Sequence, residues 1–138
     1  MSTRTTVDEF LRRTAEGDPE RIAALYADEV EWMLDWPDGD YADTVPWIRH
    51  RSTRAGVAEH FRLIAEHHVP EESTTTLTAV LVDGADAVLL GEFRNTAKPT
   101  GRRYTAAFAL HLTVADGLIT RHHVYEDSLA VARAFGAA

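Results

Sequence analysis

There is no cysteine among the 138 residues, which excludes a disulfide framework, a thiolate metal cluster and a cysteine nucleophile together. Basic residues are few. Fourteen Lys and Arg stand against 22 Asp and Glu, a formal charge of −8 with neutral histidines. That sign argues against broad binding to a nucleic-acid backbone, which needs cations to displace counterions. The apolar run from Ala87 to Gly91 falls far short of the roughly 20 residues that a spanning helix requires. No apolar signal core follows Arg4, so the expected location is the cytoplasm and no membrane partner is expected.

Several chemical signatures are also missing. The chain contains no GxSxG, P-loop or dinucleotide fingerprint,. It has seven histidines but no HExxH pattern,. His67 and His68 would point about 100° apart on a helix, so adjacency does not make them co-ligands. The expectation is no metal and no cofactor.

What is present is the composition of an ordinary globule, 45% hydrophobic and 26% charged,. One domain spanning 1–138 is expected at this length. Thr6-Val7-Asp8-Glu9 has the form of a capping box, followed by Val7, Phe10, Leu11 and Thr14 at helical spacing and a stop at Gly17,. Asp18-Pro19 restarts the chain as N-cap and first helical residue, with Ile22, Leu25 and Tyr26 as the next stripe,. From Val30 the period becomes two: Val30, Trp32, Leu34 and Trp36 alternate with Glu31, Met33 and Asp35, which predicts a half-buried strand,. Ser52-Thr53 can cap a third helix carrying Val57, Phe61, Ile64 and His68 on one face, closed by Pro70,.

Four strands follow, over 74–82, 87–93, 104–114 and 118–126, the last two joined by the hairpin signal Asp116-Gly117,. A tail helix with Leu129, Ala132 and Phe135 as its face ends the chain. This order predicts an α+β fold with a curved, cone-shaped antiparallel (mixed) sheet and helices on its concave face.

The same order resembles the nuclear transport factor 2-like superfamily, in its SnoaL-like and ketosteroid-isomerase-like branch. The carriers are Glu16-Gly17-Asp18, Leu25-Tyr26-Ala27-Asp28-Glu29-Val30, Val45-Pro46-Trp47, Pro99 to Tyr104, Asp116 to Thr120 and Tyr125-Glu126-Asp127. The resemblance covers nearly the whole chain. It implies a deep apolar pocket between sheet and helices, and a homodimer through the outer sheet face.

The catalytic sets of the relatives are not carried over. The tyrosine, aspartic acid and aspartate of steroid isomerases fall on Phe10, Leu110 and Leu34. The arginine–aspartate pair and last-strand aspartate of limonene-epoxide-hydrolase-like members fall on Gly91, Phe93 and Val124. The cyclase aspartate also falls on Val124.

If Val124 faces the pocket, alternation puts His122 and Glu126 beside it and His123 and Tyr125 opposite. An imidazole can take and give a proton near neutrality, which makes His122 the candidate acid–base group. Glu126 could orient it or serve as a second acid–base group. Asp35 is a third candidate, although alternation turns it outward unless a bulge intervenes. Trp32, Trp36, Trp47, Phe61, Phe93, Phe108, Leu110 and Val124 form the expected wall for a small apolar ligand. Glu92, Arg94, His111, Thr113, Arg121 and His123, with Ala107 and Ala109, form the convex face expected to meet a second copy.

Two functions remain open at this level. One is a cofactor-independent acid–base enzyme of isomerase, cyclase or lyase type acting on a carbonyl-bearing metabolite. The other is a non-catalytic binding or accessory protein. An epoxide hydrolase with a rearranged site is a further alternative, needing two carboxylates around a water.

Overall fold

The computed structural model describes residues 2–37, 39 and 41–137. Helix α1 runs over Thr3–Glu16 and α2 over Pro19–Ala23, followed by β1 (Tyr26–Leu34) and α3 (Arg54–Glu66). A single 3-10 turn at Pro70–Glu72 leads into β2 (Thr74–Asp83), β3 (Asp86–Thr96), β4 (Arg103–Ala115) and β5 (Leu118–Glu126). Helix α4 (Ser128–Ala134) completes the described elements.

The five strands form one sheet in the order β1-β5-β4-β3-β2. Neighbours β2 to β5 pair antiparallel, while β1 joins the edge parallel to β5. Alternation along β4 decides which face is core: Ala106, Phe108, Leu110, Leu112 and Val114 are buried, and the residues between them are not. Both residues of the β4–β5 turn, Asp116 and Gly117, have positive φ (52° and 77°), as the two-residue hairpin requires.

Four expectations need correction. Helix α1 begins three residues before the proposed cap: Ser2 is the N-cap, its side chain accepting from the Thr5 N–H, and Thr6 lies buried within the helix. Helix α2 stops at Ala23, so Tyr26 opens β1 instead of extending a helical stripe. The reason is a register shift between Tyr26 and Glu31, which hides the early part of the strand from a period-two reading. Trp36 falls beyond the end of β1. In α4 the buried residues are Val131, Ala132 and Ala134, with Leu129 left 55% exposed.

Candidate functional site

The edge strand β1 and its parallel neighbour β5 place Trp32 beside His122 and Leu34 beside Val124. Trp32 and His122 stack almost parallel, with ring centroids 3.9 Å apart and planes 8° from each other. Beyond the imidazole stands Tyr26, whose hydroxyl is 2.8 Å from His122 Nδ1. Phe61 and Phe10 pack around these rings, and His60 meets Trp32 edge-on at 4.7 Å. His122 is therefore an inward-facing, buried histidine in an aromatic cluster.

The Tyr26–His122 contact fixes the tautomer. A phenol sealed from water needs an acceptor, and among the described residues Nδ1 is the acceptor Tyr26 has. With Tyr26 donating to Nδ1, the imidazole proton is assigned to Nε2. Burial pushes the Tyr26 hydroxyl well above its ordinary pKa. It also lowers that of His122 to about 3, helped by the charge of His123. At neutral pH both groups are uncharged, and the imidazole offers an N–H.

Glu126 lies four residues along β5, about 13 Å from His122 by strand rise. It does not orient the imidazole. Its Oε1 accepts from Trp36 Nε1 at 2.9 Å, and burial raises its carboxyl pKa against the opposing effect of that bond. Asp35 sits where β1 ends, its N–H donating to the Val124 carbonyl at 3.2 Å. Its carboxylate stands 3.4 Å from Nε2 of His123 without the alignment of a hydrogen bond. His123 itself stacks on Tyr125 at 4.0 Å.

A cleft of about 410 Å³ opens between the end of β1 and the segment that returns to α3. Its lining includes Trp32, Asp35, Trp36, Tyr41, Arg49 and His50. That volume is within the range of small-molecule sites. Of the expected wall, Trp32 and Trp36 line this cleft. Trp47 is held in a second core cluster against Phe135, edge-on at 5.1 Å. Phe93 and Phe108 stack on each other at 4.2 Å, and Leu110 and Val124 are buried among the main-core side chains.

Sequence reasoning missed Tyr26, His60 and Arg51 as parts of this region. Tyr26 was hidden by the helix-to-strand boundary. His60 had a readable signal, since it falls one helical turn after Val57, on the buried side of α3. Burial drives its pKa well below the ordinary value, with the charges of His122 and Arg51 adding to that and the Trp47 backbone opposing it. Among the described residues, no group of three or more His, Asp or Glu side chains is placed to hold a metal ion. Among the described residues no helix is long and apolar enough to cross a membrane.

A parallel strand at one edge, a curved sheet over helices and an aromatic interior define a nuclear transport factor 2-like α+β fold. The model of the SnoaL-like domain family matches residues 7–122, and the chain belongs to that family. It is similar to an NTF2-like protein from Burkholderia thailandensis at 21% identity and TM-score 0.81, over 97% of both chains. A Mesorhizobium loti protein described as SnoaL-like and of the polyketide-cyclase type matches at 21% identity and TM-score 0.70, over 91% of this chain and 99% of its own. TerC, co-crystallised with polyporic acid, matches at 16% identity and TM-score 0.77, over 98% of each chain. At these identities the likeness is one of fold. No curated protein matches the chain in sequence.

Proposed function

We propose that this chain is a cofactor-independent acid–base enzyme, of isomerase, cyclase or lyase type, whose small apolar, carbonyl-bearing ligand enters the cleft at the end of β1. The observation that carries this reading is the Tyr26–His122 pair, in which the phenol occupies Nδ1 and makes Nε2–H the imidazole's donor. A neutral imidazole held in this way polarises a carbonyl by donating to its oxygen as charge develops there. Trp32 links the two regions, stacking on His122 and lining the cleft. Of the two carboxyl groups, Asp35 lines the cleft and can accept a proton, while Glu126, kept protonated more readily by burial, can give one,. TerC, co-crystallised with polyporic acid, is in keeping with a small organic ligand on this scaffold.

One observation favours the second reading, a binding protein without turnover. The polar partner of His122 is a phenol instead of a carboxylate, and an imidazole with a pKa near 3 is a weak base.

Native mass spectrometry of the purified protein would identify a retained small molecule, whose conversion can then be followed. The double variant Tyr26→Phe/His122→Phe removes both polar groups while keeping the rings, a change that costs little stability. Its turnover is expected to fall by about 10²–10³, with ligand affinity within a few-fold of the parent. Turnover within tenfold of the parent would remove His122 from the chemistry. A bound molecule that the parent never converts would leave the binding reading.

We also propose a homodimer through the convex sheet face, where Leu81 is 56% and Tyr125 43% exposed and Ala109 pairs with Tyr125. Light scattering is expected to give twice the chain mass, and Ala109→Arg to halve it. A parent that scatters as a monomer at high concentration would refute the pairing.

A further inference from the structure

Six consecutive residues, Trp32 to Pro37, line the cleft. Successive side chains of a strand point to opposite faces of its sheet. Trp32 and Leu34 turn inward beside His122 and Val124, while Met33 and Asp35 turn to the convex face beside His123. Both sets can border one space only if that space runs along the edge of the strand, where the backbone is.

β1 is a border strand with β5 as its neighbour, and two hydrogen bonds fix which way its backbone groups point. The Asp35 N–H donates into the sheet, to the Val124 carbonyl at 3.2 Å. The Val30 N–H donates away from it, to the Ser52 carbonyl at 2.9 Å. Alternation then turns the N–H and C=O groups of Trp32 and Leu34 to the outer side, which is the side of the cleft.

The start of that outer edge is covered. Glu29 bridges Thr53 in antiparallel register, and the same register carried onward would set Ile48 opposite Leu34. The chain leaves it. Turns bonded from the Ile48 N–H to the Val45 carbonyl and from the Arg49 N–H to the Trp47 carbonyl draw this segment off the strand. The cleft occupies the gap, with Ile48, Arg49 and His50 as its far wall. A strand edge that faces such a space is a template for another extended group.

Length and charge narrow the occupant. The Val30–Ser52 bond closes one end of the gap, and Trp36 and Tyr41, edge-on at 5.3 Å, stand at the other. The edge between them, from Trp32 to Leu34, is about 7 Å long, enough to pair one added residue. Asp35 and Arg49 bring opposite charges to the two walls, which favours a neutral, dipolar group over an ion. Trp32 is only 4% exposed and Leu34 is half-buried, so Leu34 is the position open to pairing.

We propose that Leu34 binds the –NH–CHR–CO– unit of a small N-acyl amino-acid derivative, exchanging two backbone hydrogen bonds with it as an antiparallel strand pair does. The Leu34 N–H donates to the ligand carbonyl, and the Leu34 carbonyl accepts from the ligand N–H. An isolated trans amide cannot make both bonds, because its own N–H and C=O point in opposite directions. The two groups flanking one α-carbon of an extended residue point the same way. This deepens the reading above by naming the ligand class and rests on its placing of the ligand in the cleft, but it asks nothing of His122.

The probes are N-acetyl-phenylalanine methylamide and its ester analogue, in which oxygen replaces the phenylalanine N–H. At millimolar concentration the amide is expected to shift the backbone ¹⁵N–¹H signal of Leu34 and to slow its hydrogen exchange. The ester should bind about tenfold more weakly, because it leaves the Leu34 carbonyl unpaired. Leu34→Ala keeps the backbone and should keep that ratio. A Leu34 signal unmoved by the amide, equal affinities of amide and ester, or a ratio lost in a folded Leu34→Ala protein would each overturn the pairing. So would markedly tighter binding of the same phenylalanine unit flanked by alanines, since the occupant would then be a longer peptide. Tyr26→Phe/His122→Phe should keep the full shift of the Leu34 signal. Lost turnover with that shift intact bears on the acid–base reading alone, and equal affinities of amide and ester in a protein that retains turnover bear on the pairing alone.

Discussion

Lowering the pH from 7.5 to 5.5 is expected to remove folding stability, about 1.4 kcal/mol of it through His122 alone,, because the core holds its histidines uncharged. Burial depresses the pKa of His60, His68 and His122, the last to about 3. In the unfolded chain each titrates near 6.5. Below that value the unfolded state binds protons that the native state refuses, so stability present above pH 6.5 drains away as the pH falls towards the folded-state values. Each such group contributes about 1.4 kcal/mol per pH unit within that window. His60 and His68, whose pKa values burial also lowers, add to the loss from His122 in the same direction.

Glu126 acts in the opposite direction. Its raised pKa adds stability that is fully present below the ordinary carboxyl value and is lost as the pH rises through the folded value. It is one group against three. Against a typical total of about 5–15 kcal/mol, the net loss should be plain in urea midpoints measured at the two pH values, and Tyr26→Phe/His122→Phe should show it reduced by about the 1.4 kcal/mol that His122 supplies,. Equal midpoints at pH 7.5 and 5.5 for the parent would contradict the burial of these imidazoles.

These histidines also show what the sequence could and could not reveal. The inward side of the second half of β5 followed from alternation alone: His122, Val124 and Glu126 share a face because the pairing with β4 is regular from Arg121 to Glu126, past the register shift between Ile119 and Arg121. The strand bounds in the second half were legible to within a few residues for the same reason, since Gly and Asp-Gly turns punctuate them. Tyr26 was not legible. It belongs to a strand whose pairing shifts register before Glu31, and such an irregularity leaves no periodic trace. Arg51 was not legible either, because a basic residue before a helix cap is ordinarily solvated. Its burial arises from packing of the 45–53 segment along β1, where the Val30 N–H donates to the Ser52 carbonyl. Contacts so distant in sequence cannot be read from local pattern.

Gly91→Ala is expected to destabilise the fold by about 3 kcal/mol or more, and the reason connects the sheet with the missing catalytic set. A β-carbon at position 91 would stand 2.3 Å from the Thr76 carbonyl oxygen and 3.1 Å from the Phe108 ring. The first contact is with backbone, so no rotamer change relieves it. Opposite Gly91, the β2–β3 pairing shifts register between Leu77 and Ala79, which brings that carbonyl in. Phe108 in turn is stacked on Phe93. Position 91 is where the epoxide-hydrolase-like relatives carry an arginine, and here the space for such a side chain is filled by a carbonyl and two stacked rings. An arginine function restored at 91 would therefore have to rebuild the β2–β3 pairing. Thermal unfolding should place Gly91→Ala about 10 °C below the parent. Adding Phe108→Leu should recover little of that, because the clash with Thr76 persists. A Gly91→Ala protein as stable as the parent would show that β2 does not approach β3 in this register, and that a side chain at 91 is sterically open to this fold.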